Sequence, residues 1–283
     1  MTIAHKYRFP SEPQVPLAPP PYSQAPDSRR IILRTSSNSI SGSYPLYDLL
    51  SISTESGSIS VDVTPRPASS EDPSQPASLE IKSDSGSVHA AFSEGFLDSF
   101  VDRDDDDESK TNYRGGYEKT AIQPGIPARE YITSVNTQSA SISGTFPLGS
   151  RTSIDSQSGS ISGVELVVVP VSTSGPRRLR TITHAGMQSV RVVHDDFWPM
   201  VKEAWWERMV SEHESHSGLI NVEYPDSWEG TIEVEAHSGS ISVTGRGVEI
   251  IREGQGRMIA RKGKDGGKVV VRAWSGSVDL RFG

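Results

Sequence analysis

The sequence predicts an all-β fold: a single β-solenoid or β-helix-like repeat domain of about 20 residues per coil, with one inserted amphipathic helix and a disordered N-terminal tail. Three observations lead there. A short phrase recurs eight times. Five copies are intact, at Ser56-Gly57-Ser58-Ile59, Ser85-Gly86-Ser87-Val88, Ser158-Gly159-Ser160-Ile161, Ser238-Gly239-Ser240-Ile241 and Ser275-Gly276-Ser277-Val278; three are worn, at Ser37-Asn38-Ser39-Ile40, Ser139-Ala140-Ser141-Ile142 and Ser217-Gly218-Leu219-Ile220. Each copy separates two stretches of alternating hydrophobicity, and the alternation slips by one residue across it. Ile232, Val234 and Ala236 precede one copy on even positions, and Ile241 and Val243 follow it on odd ones. Finally, the Gly-equivalent positions are separated by 19, 29, 54, 19, 59, 21 and 37 residues.

Period-two alternation marks a strand with one buried face. A one-residue slip would send every later side chain to the wrong face, so the chain must turn at each copy. Gly57, Gly86, Gly159, Gly239 and Gly276 are therefore the structural turn residues. Asn38 fits the same slot because Asn tolerates a left-handed backbone, whereas Ala140 predicts a distorted turn. Two structures accommodate the slip. In a two-residue hairpin, Ala236 pairs with Ile241 and Val234 with Val243. In a solenoid, the phrase is a corner between two strands of one coil. Gaps near 20, with 59 and 37 near its multiples, favour stacked coils with loop insertions over a hairpin-based sandwich. The Ser-rich composition then supplies turn partners and coil-to-coil ladders rather than a nucleophile.

Along the chain, residues 1–29 read as a disordered Pro-rich tail. Pro10, Pro13, Pro16 and Pro19 recur at the polyproline II period. The tail closes on Pro19-Pro20-Pro21-Tyr22, a sequence of the kind WW domains bind, so Pro19, Pro20 and Tyr22 are candidate partner-binding residues. The repeat domain is expected over 30–283, with loop insertions at about 64–77 and 94–129. The second insertion holds the acidic run Asp102–Glu108, which lacks the spaced ligands and Gly turn of a calcium loop. Residues 195–213 are expected to form the helix. Asp195 and Asp196 lie at its start, Pro199 in the first turn, and Trp198, Val201, Trp205 and Met209 at helical spacing. That helix would cover a flank of the repeat, or present Trp198 and Trp205 as partner anchors.

Little else in the sequence carries chemistry. His213, His216 and His237 are weak metal candidates, since a site needs three or four converging ligands. Arg177, Arg178 and Arg180 form one basic knot. Arg257, Arg261, Lys262, Lys264 and Lys268 form another. Gly263-Lys264-Asp265-Gly266-Gly267 lacks phosphate-loop spacing and is expected to be a hairpin turn, and Gly159-Ser160-Ile161-Ser162-Gly163 carries Ile where a nucleophile elbow needs Ser. The expectation is no catalytic residue, no cofactor and no metal. A net charge of -8 argues against a nucleic-acid binder. No apolar run reaches the roughly 20 residues that span a bilayer. The absence of cysteine, of an Asn-x-Ser/Thr sequon and of an apolar secretory segment after Met1 favours a cytoplasmic location.

The strand, Ser-Gly-Ser-Ile-Ser, strand pattern resembles the putative-adhesin solenoid families of unknown function, and is most similar to fungal proteins with a Pro-rich start. The resemblance spans about residues 30–283 and rests on the eight phrases. It implies surface adhesion, from which the chain departs in showing no signal peptide or anchor, and it carries no functional residues across. The function expected from the residues is a non-catalytic intracellular interaction scaffold recruited by a WW-domain protein. The alternatives are a surface or cell-wall adhesion protein and, behind it, a carbohydrate-active β-helix enzyme.

Overall fold

The structure is a computed structural model that describes residues 28–93, 126–169, 175–194, 205–264 and 266–283. It is all-β in these regions. The strands preceding the corners are β1 (Arg30–Thr35), β3 (Leu49–Thr54), β5 (Ala77–Ser83), β7 (Tyr131–Thr137), β9 (Arg151–Ser156), β11 (Arg177–Ala185), β13 (Met209–Ser217), β15 (Gly230–Ser238) and β19 (Gly267–Ser275). Those following them are β2 (Ile40–Leu46), β4 (Ile59–Pro65), β6 (Val88–Phe92), β8 (Ile142–Leu148), β10 (Ile161–Val168), β12 (Gln188–Val193), β14 (Ile220–Tyr224), β16 (Ile241–Gly245) and β20 (Val278–Phe282). A final pair, β17 (Val248–Gly254) and β18 (Arg257–Lys262), lies between β16 and β19 in sequence.

The chain alternates between two sheets. One runs β1-β3-β5-β7-β9-β11-β13-β19-β15-β18-β17; the other runs β16-β20-β14-β12-β10-β8-β6-β4-β2. Every pairing is parallel except the two that β18 makes. Both sheets contribute to one continuous apolar core. The strands across a Ser-Gly phrase do not pair as a hairpin: Ala236 lies opposite Ala273, and Ile241 opposite Val278.

The corners stack in a column. A methyl placed on Gly57 would meet the Asn38 carbonyl oxygen at 2.1 Å, one on Gly86 the Gly57 oxygen at 1.9 Å, and one on Gly159 the Ala140 oxygen at 1.9 Å. The column continues from Gly159 through Gly186, Gly218 and Gly276 to Gly239. Close backbone approach, not positive φ, demands glycine at positions 57, 86 and 159; at Gly218, Gly239 and Gly276 both constraints act. Gly159→Ala should therefore cost roughly 1–3 kcal/mol by overpacking. At Gly163, where φ is 63° but nothing lies within 4 Å of an added methyl, alanine should cost only about 1 kcal/mol of backbone strain. Urea midpoints compare the two, and equal losses would move the constraint from coil contact to φ.

A hydroxyl three residues before the corner closes most turns from inside. Gly57 and Gly159 donate their backbone N–H to Thr54 Oγ1 and Ser156 Oγ at 2.9 and 3.0 Å, and Ser83 Oγ donates to the Gly86 carbonyl at 2.6 Å. Ser hydroxyls also bridge coils, as where Ser240 Oγ donates to Ser277 Oγ at 3.0 Å. The corner at Ala140 keeps its place in the column. Its carbonyl accepts from Thr137 Oγ1 and Ser156 Oγ at 2.9 and 3.1 Å.

Several expectations need correction. The gap of 59 residues holds a ninth corner, His184-Ala185-Gly186-Met187, which lacks the Ser-Gly-Ser signature. The gap of 37 holds no coil, only the antiparallel β17–β18 excursion. The amphipathic helix does not extend over 205–213. Residues 205–208 form a turn, and Met209–Ser217 is β13, paired on both sides. The helical stripe was misread there because Met209, Ser211, His213 and Ser215 are the buried residues, at period two. Residues 195–204, including Trp198, lie outside the described residues, as do the tail through Asp27 and the acidic run. The turn after Lys262 joins no hairpin, because β18 and β19 flank β15 and do not pair with each other.

The last coils are also out of sequence order: β19 lies between β13 and β15. The charges across these strands favour that order. Arg272 of β19 sits opposite Glu214 on one side and Glu235 on the other, and Val270 separates Glu212 from Glu233. Direct pairing of β13 with β15 in that register would set glutamate beside glutamate at about 4.8 Å, which is unfavourable. Lys268 also bridges to Glu233 at 2.9 Å.

Candidate binding surface

The residue two positions before each corner faces out, and these side chains form a row. In the first five corners they are Ser36, Glu55, Asp84, Gln138 and Gln157. In the last four, in spatial order, they are His184, His216, Trp274 and His237, all exposed. Their rings stack face to face. Centroids are 4.7 Å apart for His184–His216, 4.6 Å for His216–Trp274 and 6.0 Å for Trp274–His237, with interplanar angles of 4–5°. Strand spacing sets that distance. Met187 and Leu219, just past the corner in two of these coils, are 44% and 39% exposed. One end of the corner column is thus aromatic and apolar where the rest is short and polar.

Because the ring faces cover one another, what the row offers to solvent is ring edges. Parallel imidazoles hold their lone pairs parallel rather than converging, so the row is poorly shaped for a metal. His213 lies on the inward face, away from His216 and His237, and no group of three metal-ligating side chains occurs among the described residues. Sequence reasoning considered His216 and His237 only as ligands. The signal it missed was the recurring His or Trp two residues before a corner, which includes His184 and Trp274.

Inside the same coils lies a sealed polar cluster. His213 Nδ1 is 2.7 Å from Thr181 Oγ1, and its Nε2 is 2.9 Å from the Tyr224 hydroxyl. Thr181 Oγ1 donates to Gln188 Oε1 at 2.8 Å, and Gln188 Nε2 donates to Thr183 Oγ1 at 3.1 Å and to the Glu214 carbonyl. Complete burial lowers the His213 pKa to about 3, so it is neutral, and burial raises Tyr224 above the usual phenol range. His213 and Tyr224 are at most 1% exposed. The cluster cannot meet a substrate without opening the core.

On the side away from the corners, a half-buried Asp48 joins the buried Arg129 and the half-buried Arg29 in an ion network. Arg29 grips it at 2.9 and 3.1 Å, and Arg129 Nη2 donates to its Oδ1 at 3.0 Å. Arg129 also donates to the Arg66 and Gln75 carbonyls at 3.0 and 2.6 Å, tying together the loops after β2, after β4 and before β7. Burial alone would push the Asp48 carboxyl up, but hydrogen bonds from the two guanidiniums outweigh it and hold the pKa below the ordinary value.

Of the other sequence candidates, Pro19, Pro20, Tyr22 and Trp198 lie outside the described residues. Trp205 is 1% exposed, edge-on to Trp206 at 4.9 Å, with Arg177 over its ring at 5.0 Å. It serves the core and offers no anchor to a partner. Arg177 is buried and donates to the Trp205 carbonyl at 2.9 Å, so the first basic knot is partly structural. Gly57, Gly86, Gly159, Gly239 and Gly276 all lie in the corner column. No protein-family model matches the chain, and neither a curated protein nor a solved structure is found similar to it.

Proposed function

We propose that the protein is a non-catalytic β-solenoid scaffold of the cytoplasm that binds a protein partner along its aromatic corner. The observation that carries this is the exposed His184–His216–Trp274–His237 stack. Exposed Trp and Met are what protein interfaces enrich, and strand pairing beneath the row holds it rigid, so little ordering entropy is lost on binding. The most strongly shifted histidine is sealed in the core instead of lining a cleft, which suits a scaffold better than an enzyme. The Pro19-Pro20-Pro21-Tyr22 segment offers a second contact, to a WW domain, with Tyr22 as its anchor. Among the described residues no helix is long and apolar enough to cross a membrane.

Capture of partners by wild-type chain, Trp274→Ser and Tyr22→Ala tests both contacts. Trp274 is 39% exposed and stacks on two rings, so its replacement should cost about 1–3 kcal/mol while leaving the chain folded, and should remove the partners of the corner. Tyr22→Ala should remove only WW-domain proteins. Partner sets identical to wild type in both variants would overturn the proposal.

A further inference from the structure

The β17–β18 pair differs from the rest of the fold. It is the antiparallel appendage of an otherwise parallel structure, and β17 is the last strand of its sheet. Met258 and Ala260 of β18 are buried, but β17 exposes Ile250 by 52% and Ile251 by 61%. A bulge places Ile250 opposite Ala260 and Arg252 opposite Ile259, leaving Ile251 as the extra residue at the rim. An edge strand that exposes two adjacent isoleucines is a contact surface or a liability.

Charge indicates which contact. Residues 246–264 carry six Arg or Lys against two Glu, in a chain whose net charge is -8. Arg261 faces Glu249 at 3.7 Å, and the buried Lys262 is held by Asp226 at 3.3 Å. Arg252 and Arg257 make no ion pair among the described residues, although Glu235 lies opposite Arg257 in the sheet. The two arginines line a shallow cleft of about 190 Å³ with Gly254, Gln255 and Ile259. Pairing sets Ile250 on the face of Ala260, Arg252 and Arg257 on the opposite face with Ile259, and Ile251 at the rim between them, so a lipid surface met edge-on by this strand would meet both sets: the guanidiniums suit a phosphate, and the isoleucines suit the boundary between headgroups and acyl chains. The acidic remainder of the chain would be repelled, so contact is confined to this end.

We infer that the β17–β18 end docks on an anionic membrane surface, with Arg252 and Arg257 holding a lipid phosphate and Ile250 and Ile251 entering the interface. The test is sedimentation of the full chain with phosphatidylcholine vesicles, with and without phosphatidylserine. The chain should pellet with the anionic vesicles only, and less as salt rises. Arg252→Gln/Arg257→Gln and Ile250→Ser/Ile251→Ser should each lower partitioning roughly tenfold or more, with melting temperatures near wild type because all four side chains are exposed and glutamine sets no like charge opposite Glu235. Trp274→Ser should pellet like wild type, which keeps this site separate from the aromatic corner. Soluble glycerophosphoserine should compete poorly. Several results would overturn the inference: no pelleting with anionic vesicles, equal pelleting with neutral ones, unchanged pelleting in either double variant, or full competition by the soluble headgroup, which would make the cleft a free-anion site.

Discussion

Asp48→Ala is expected to lower the stability of the fold by about 3–5 kcal/mol, the cost of leaving a buried charge without its partner. The Arg129 side chain is only 2% exposed and reaches Asp48, the Arg66 carbonyl and the Gln75 carbonyl. Without the carboxylate its charge would be met by carbonyl dipoles alone, and three loops would lose a common anchor. Asp48→Asn should be milder, because it keeps an oxygen acceptor. The pH dependence has a definite sign. The folded-state pKa of Asp48 lies below its unfolded value, so its stabilisation is complete above the unfolded value and is lost as pH falls through the folded one. Urea midpoints at neutral pH check the mutation; a loss under about 1 kcal/mol would place Arg129 in contact with solvent instead.

The second large effect is a loss of stability in mild acid caused by His213. Its folded-state pKa is about 3, against about 6.5 for an unfolded histidine. Between those values the unfolded chain binds a proton that the folded chain does not. Stability should fall with decreasing pH by up to about 1.4 kcal/mol per unit from this residue. His213→Phe removes the titration, one of the two partners of Thr181 Oγ1 and the histidine partner of the Tyr224 hydroxyl, so it should cost about 1–3 kcal/mol at pH near 7.5. The variant should then lose about 2 kcal/mol less than wild type between pH near 7.5 and pH near 5. Parallel pH profiles for the two proteins would mean that His213 is protonated in the fold.

Much of the architecture was legible because it follows from local rules repeated many times. Alternation of period two gave the strands, and the slip at each Ser-Gly gave the corners, since a strand cannot change its buried face without a turn. The column was legible in Gly86 and Gly159, where a neighbouring carbonyl leaves no room for a side chain. Where the local signal was ambiguous, the reading failed. Trp205 and Met209 fit a helical stripe as well as a turn and a strand, and pairing with β11 and β19 decided the matter. The corner at Gly186 was missed because Ala185 and Met187 stand where other corners carry Ser.

By itself the sequence determined that the chain is rich in strands, the chemistry of the Ser-Gly corners and the inward face of the strands beside them, because these depend on neighbours along the chain. The order of the last coils, the ion pair of Asp48 with the buried Arg129, and the line of His184, His216, Trp274 and His237 depend on which strands become neighbours in space. Only the tertiary structure decided those. β19 stands between β13 and β15, where Arg272 faces both Glu214 and Glu235, a placement more favourable than those two glutamates side by side. That single exchange also places Trp274 between His216 and His237, and so builds the aromatic surface from residues up to 90 positions apart in the chain.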